Sequence, residues 1–168
     1  MKMPAEIAAL ATQVITELRS AGKSVATAES CTGGLVGGAL TSISGSSDVV
    51  YGGFITYSNA AKTKLIRVPE RLITDYGAVS AQVARAMADG ARNTARTDLA
   101  ISVTGIAGPN GGSATKPVGL VYLACATSEE TSVVSKQFGD LGRDRIRQAS
   151  VVAALELLLE VLRRPVEK

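Results

Sequence analysis

The chain has 168 residues, of which 46% are hydrophobic, and a net charge of +3 with no histidine. This length fits one domain with a sizeable core, and no apolar run approaches the ~18 residues of a membrane span. Only six residues are Phe or Tyr and none is Trp, which argues against a dedicated nucleic-acid-binding protein. The N-terminus shows no apolar signal segment, so we expect a cytoplasmic protein.

Apolar periodicity, capping residues and turn residues predict alternating helices and strands. Helices are predicted over residues 4–21, 32–43, 60–67, 81–95 and 143–162, with a further short helical turn after Pro69. Strands are predicted over residues 24–28, 49–57, 99–103, 118–125 and 132–138, with a bulge at Gly52-Gly53. Because the elements alternate and a hairpin comes late, we predict a single three-layer α/β/α domain with a mixed sheet.

The first candidate site lies in residues 29–34, directly after the first predicted strand. A strand that runs into a glycine-rich turn and then a helix presents hydroxyl and backbone N–H groups at one point. On this interpretation Ser30 is a nucleophile, and Thr32, Gly33 and Gly34 bind an oxyanion or a phosphate. The alternative is that Thr32 is a helix N-cap and that the glycines only permit close packing.

Lys62 is the candidate base, since the chain has no histidine and lysine is a known substitute beside a serine nucleophile. If Ser58 or Asn59 caps the helix, Lys62 lies in its first turn, where the helix dipole disfavours a cation and makes the amine a better base. Tyr57 is placed to hydrogen-bond or polarise the reacting group. The alternative is a solvated lysine, which we expect of the neighbouring Lys64.

A long loop rich in glycine and proline follows the predicted strand at 99–103, at the end of the sheet where α/β folds bind ligands. Its backbone could form a nest for a phosphate or an oxyanion. The candidate binding residues in this loop are Thr104, Gly105, Gly108, Gly111 and Gly112. Arg143, at the start of the last helix, offers a planar fork that suits phosphate. The alternatives are a mobile connector and a solvated helix start.

Six segments of the chain together carry a family resemblance. They are residues 28–34, residues 53–59, Lys62, residues 77–80, residues 104–112 and residues 116–119. In this order they resemble the nicotinamide-nucleotide amidase family, also known as the C-terminal domain of competence/damage-inducible protein A. The resemblance covers essentially the whole chain.

The resemblance implies that residues 1–168 form one amidase domain that converts nicotinamide mononucleotide to nicotinic acid mononucleotide and ammonia, for pyridine-nucleotide salvage. It assigns the nucleophile to Ser30 and the base to Lys62. The expected partner is a small nucleotide substrate, and the sequence calls for no metal, cofactor, nucleic acid or membrane. The alternative function is a non-catalytic nucleotide-binding or sensor domain that uses the same glycine-rich loops. Release of ammonia would separate the two.

The last predicted helix carries apolar residues around much of its circumference. They are Leu155, Leu157, Leu158, Leu159, Val161 and Leu162. One stripe can pack on the sheet, and a second stripe would remain exposed, which monomers seldom tolerate. We therefore expect a homo-oligomer, most simply a two-fold dimer. The competing explanation is that the helix at 4–21 covers the second stripe within the same chain.

Overall fold

The structure is a computed structural model that describes residues 3–165. Within that range the chain forms six α-helices and five β-strands, which confirms the predicted α/β class. The helices are α1 (Ala5–Ala21), α2 (Leu35–Thr41), α3 (Asn59–Ile66), α4 (Glu70–Tyr76), α5 (Ala81–Ala95) and α6 (Arg143–Leu162). The strands are β1 (Val25–Glu29), β2 (Val50–Ile55), β3 (Leu99–Gly105), β4 (Leu120–Ala126) and β5 (Thr131–Gln137).

The five strands form one mixed sheet in the order β2-β1-β3-β4-β5. Strand β1 pairs in parallel with β2 and β3, whereas β3, β4 and β5 pair antiparallel. The carboxyl ends of β1, β2 and β3 therefore meet at one edge of the sheet, and the segments that follow those strands lie close together there.

Two helical layers cover the sheet. Helices α1, α2 and α6 share the larger apolar core with one face, while α5 covers the other face and is joined by α3 and α4. Small side chains such as Ala26, Ala28 and Ala100 pack beneath α5, which lets that helix approach the strands closely. These layers make the predicted three-layer arrangement.

The apolar circumference of α6 is covered within the chain. Helix α1 packs against α6, which itself contacts β3 and β4. Among the six apolar residues named above, all but Leu162 are buried. The competing explanation thus accounts for the second stripe, and the argument from α6 to a dimer no longer holds. The oligomeric state itself stays a prediction.

Two local expectations are wrong. Helix α2 begins at Leu35 rather than at residue 32, because Gly33 and Gly34 take positive φ values of 57° and 101° and form a turn. The irregularity in β2 falls at Tyr51, where the register to β1 skips one residue, rather than at Gly52-Gly53. No helix within residues 3–165 is long and apolar enough to cross a membrane.

Candidate active site

A cavity of about 260 Å³ opens at the carboxyl ends of β1 and β3. The segments after β1, β2 and β3 and the first turn of α6 form its wall. The lining residues are Ser30, Cys31, Tyr57, Asn59, Lys62, Ala78, Val79, Thr104, Gly105, Ile106, Ala107, Gly108, Asn110, Gly111 and Arg143. The cavity therefore occupies the position at which open α/β sheets bind ligands.

Ser30 is the first residue after β1 and is held there by the neighbouring strand. Its backbone N–H donates to the carbonyl of Val103, the strand residue paired with Glu29, at 3.0 Å. The side chain borders the cavity although the residue is only 9% exposed. The hydroxyl is thus presented to a ligand from a backbone that the sheet fixes.

Lys62 meets Ser30 across the bottom of the cavity. Helix α3 begins after Ser58, whose side chain accepts a hydrogen bond from the N–H of Ala61. Lys62 Nζ lies 3.0 Å from Ser30 Oγ, 2.9 Å from the carbonyl oxygen of Thr56 and 3.4 Å from that of Tyr57. The residue is 1% exposed, so a buried amine contacts the candidate nucleophile.

Burial lowers the pKa of Lys62, because an ammonium loses hydration there. We expected the same direction from the helix dipole, whereas desolvation is the main cause. No carboxylate approaches Nζ in an ion pair within the described residues. The charged amine can donate to all three oxygens. In the neutral form its two N–H groups can donate to the two carbonyls while its lone pair accepts from the Ser30 hydroxyl.

The start of α2 does not offer its N–H groups to a ligand. The buried carboxylate of Glu29 accepts from the N–H groups of Gly34, Val36 and Gly37 at 3.0, 3.1 and 2.7 Å. The expectation that the helix start binds an anion is therefore wrong. Thr32 is not the N-cap either, and its hydroxyl is buried without a partner among the described residues.

Two N–H groups beside the nucleophile remain unused. Those of Cys31 and Thr32 donate to no other residue within 3–165. Arg147 fixes this turn from α6, since its guanidinium donates to the carbonyl oxygens of Cys31 at 3.1 Å and Thr32 at 3.2 Å. Unused N–H groups in a fixed turn are the kind of donor that stabilises an oxyanion.

The glycine-rich loop after β3 supplies a second set of unused donors. The N–H groups of Ala107, Gly108, Asn110 and Gly111 donate to no other residue in the described part of the chain, and all four residues line the cavity. Thr104 supports the opposite wall, because its hydroxyl donates to the carbonyl of Ala78 at 2.8 Å. A run of free N–H groups in a loop is suited to bind an anion.

Arg143 bridges two sides of the cavity. Its guanidinium donates to the carbonyl of Gly108 at 2.8 Å and to the hydroxyl of Tyr57 at 3.2 Å. Of the described residues that line the cavity, none is acidic, and Arg143 carries a permanent positive charge. The cavity is therefore electropositive even when Lys62 is neutral, and it suits an anionic ligand.

The structure brings most of the predicted site residues to this cavity. Those on its wall are Ser30, Lys62, Tyr57, Thr104, Gly105, Gly108, Gly111 and Arg143. Those away from it are Thr32, Gly33, Gly34 and Gly112. The turn explains two of these exceptions, because the positive φ values of Gly33 and Gly34 serve the backbone rather than a ligand.

Sequence reasoning missed Glu29, Asn59, Asn110 and Arg147. Glu29 carried a usable signal, since an acidic residue that ends a buried strand needs partners, and the free N–H groups of the next helix start are the nearest donors. Arg147 is four residues after Arg143 and shares its helix face, and this spacing is visible in the sequence, but only Arg143 was predicted as a binding residue. The two asparagines carry no distinctive spacing. No cluster of three or more His, Cys, Asp or Glu within 3–165 could hold a metal ion.

Comparisons with known proteins identify the family. The family of the CinA C-terminal domain matches residues 7–162. A CinA-like protein of Synechococcus sp. (strain RCC307) is 54% identical over 150 residues, which cover 89% of this chain and 36% of that protein. A CinA-like protein of Geobacter sulfurreducens is 52% identical over 147 residues, covering 88% and 35%. The chain thus spans about a third of the length of the curated relatives it matches.

Solved structures agree with this comparison. The competence/damage inducible protein CihA from Agrobacterium tumefaciens superposes with a TM-score of 0.94 at 49% identity, covering 98% of this chain and 100% of that one. A CinA superfamily protein from Escherichia coli superposes with a TM-score of 0.89 at 30% identity, covering 96% and 94%. This chain therefore belongs to the family of the CinA C-terminal domain.

Proposed function

We propose that this chain is an amidohydrolase that hydrolyses the carboxamide of nicotinamide mononucleotide to nicotinic acid mononucleotide and ammonia. The observation that carries the proposal is the 3.0 Å contact between Ser30 Oγ and a buried Lys62 Nζ. A serine activated by a neutral lysine is a known arrangement for acyl transfer. The family resemblance supplies the identity of the nucleotide, and the electropositive cavity supports it.

The first half of the reaction releases ammonia. Ser30 Oγ attacks the carboxamide carbon while Lys62 Nζ accepts the hydroxyl proton. The unused N–H group of Cys31, which lines the cavity, is the candidate donor to the oxyanion. The proton then passes from Nζ to the amide nitrogen, the C–N bond breaks, and ammonia leaves an acyl ester on Ser30.

The second half restores the enzyme. Water attacks the ester carbon while Lys62 accepts one of its protons. The ester C–O bond breaks, and the proton returns from Nζ to Ser30 Oγ, which leaves a carboxylic acid that ionises. Protons and electrons balance without a further reactant. The same lysine therefore serves as base and acid in both halves.

Cys31 is a rival nucleophile because it lines the same cavity. Burial raises the pKa of its thiol to about 11, so the thiol is protonated at neutral pH. The thiolate is the reactive form of cysteine, and Lys62 Nζ contacts the Ser30 hydroxyl instead. These observations favour Ser30.

The glycine-rich loop and Arg143 are the proposed phosphate site. The residues that carry the four unused N–H groups, within 107–111, and Arg143 line one cavity, and none of its described lining residues is acidic. A phosphate gains both charge-assisted hydrogen bonds and backbone donors there. Nucleotide binding by this loop would also serve a sensor domain, so turnover has to be measured together with binding.

The test is ammonia release by the purified protein from nicotinamide mononucleotide, with and without EDTA. We expect release that EDTA does not reduce. Calorimetry on the same protein measures binding. Binding without ammonia would support the sensor function and contradict the amidase.

A further inference from the structure

The Glu29 side chain is almost fully buried one residue before the proposed nucleophile. The residue is 1% exposed, and its carboxylate accepts three backbone N–H groups from the start of α2. A buried carboxylate is strongly unfavourable without such partners. Side chain and backbone together close a ring from residue 29 to residue 37, and Ser30 lies inside that ring.

This cap differs from an ordinary helix cap. A short polar residue at the N-cap usually accepts these N–H groups. The N-cap here is Gly34, which has no side-chain acceptor, and the carboxylate of the strand residue Glu29 accepts them instead. The nucleophile turn is thereby tied to strand β1 rather than to the helix alone.

Glu29 also reaches the base through its backbone. Its carbonyl oxygen accepts the N–H of Thr56 at 2.8 Å. The carbonyl oxygen of Thr56 in turn accepts from Lys62 Nζ at 2.9 Å. Glu29 therefore contributes to the positions of both Ser30 and Lys62.

We propose that Glu29 is a positioning residue for the reaction, whose carboxylate holds the nucleophile turn at the distance at which Lys62 can accept the Ser30 proton. The proposal rests on the proposed function in taking Ser30 as the nucleophile and Lys62 as its base. Displacement of a reacting group by about 1 Å can lower a rate by about 10²-fold. Loss of the cap should therefore act on the chemical step more than on binding.

The test variant is Glu29→Gln, which keeps the shape and turns an amide NH₂ toward backbone N–H groups. We expect kcat for ammonia release to fall on the order of 10²-fold with little change in KM. A second measurement needs no substrate. A small fluorophosphonate labels Ser30, and mass spectrometry of the intact protein measures the labelling rate. We expect the labelling rate to fall together with kcat.

Asp98→Asn is the matched control. Asp98 also accepts a backbone N–H, from Ser24 at 2.8 Å, but at the opposite end of β1. Asp98 is exposed, and its substitution perturbs a carboxylate contact to the same strand away from the cavity. We expect it to lower thermal stability and to leave kcat and the labelling rate close to those of the wild type.

The outcomes are decisive in each direction. A folded Glu29→Gln protein with wild-type kcat and labelling rate overturns the proposal, as does an equal loss in Asp98→Asn. If Glu29→Gln does not fold, Glu29→Asp is measured in sucrose, because its shorter side chain withdraws the carboxylate from the N–H groups. If neither variant folds, Glu29 serves stability, and the proposal is overturned. Labelling of wild-type Ser30 without ammonia release would reject the proposed substrate while leaving the Glu29 test intact.

Discussion

Replacement of Lys62 by methionine separates catalysis from binding at this site. Methionine has a similar length and is apolar, so it fills the buried volume but removes the proton acceptor 3.0 Å from Ser30 Oγ. A positioned general base contributes about 10²–10⁴-fold in rate, which corresponds to about 3–5 kcal/mol of activation free energy. We expect a loss of kcat in this range. KM should change little, because Nζ contacts Ser30 and two backbone carbonyls rather than the proposed phosphate loop.

The same variant should change how stability depends on pH. Burial lowers the pKa of Lys62, so between that lowered value and the ordinary lysine value of about 10.4 the unfolded chain binds more protons than the native one. Wild-type stability contributed by this group therefore rises with pH through that window. The free energy of unfolding of Lys62→Met minus that of the wild type should therefore be most positive below the lowered pKa. This difference should decline as the pH rises.

The hydrogen bonds lost in Lys62→Met affect stability differently from the charge of Lys62. The carbonyls of Thr56 and Tyr57 lose their donor, at a cost of about 1–3 kcal/mol each, and this cost does not titrate with Lys62. The lost hydrogen bonds shift the stability difference between variant and wild type by a constant amount. Its slope against pH therefore reports the buried amine. Urea unfolding at several pH values measures it.

Lys64→Met is the control, because Lys64 is exposed on the same helix. It should leave kcat and the pH slope unchanged. In the wild type, the acidic limb of kcat/KM should report a base that titrates below the ordinary lysine value. A Lys62→Met enzyme with unchanged kcat and raised KM would refute the assignment of Lys62 as base and make it a binding residue.

Two further predictions concern the cavity wall. Arg143→Met should raise KM for the nucleotide more than it lowers kcat, because the guanidinium faces the proposed phosphate site; steady-state kinetics checks this, and a kcat effect alone would contradict it. Gly105→Ala should lower the melting temperature, since an added Cβ would lie 2.6 Å from Val121 Cγ2 and 3.0 Å from the carbonyl oxygen of Leu120; thermal unfolding checks this, and an unchanged melting temperature would show that the backbone there can move.

Local signals predicted the helices that have strong ends. Helix α5 begins after Ser80, whose side chain accepts from the N–H of Val83, and its predicted bounds agree with the structure. Helix α6 likewise spans the predicted residues. Caps and apolar periodicity are properties of neighbouring residues, so a sequence displays them directly.

Contacts between distant segments were harder to predict. The weak amphipathicity of α3 does not show that Lys62 is buried, since its burial depends on Ser30, 32 residues earlier. The short α2 was predicted too long because Gly33 and Gly34 form a turn with positive φ values and delay its start. The family resemblance, rather than periodicity, selected Ser30 and Lys62 from their local alternatives.

Ammonia release by Ser30→Ala, compared with Cys31→Ala, tests the central claim most directly. Both side chains line the cavity, and only Ser30 contacts Lys62 Nζ. Ser30→Ala should bind nicotinamide mononucleotide and lose turnover by about 10³-fold or more, while Cys31→Ala should keep turnover of the wild-type order. Near wild-type ammonia release by Ser30→Ala, or its loss in Cys31→Ala alone, would contradict the assignment of Ser30 as the nucleophile.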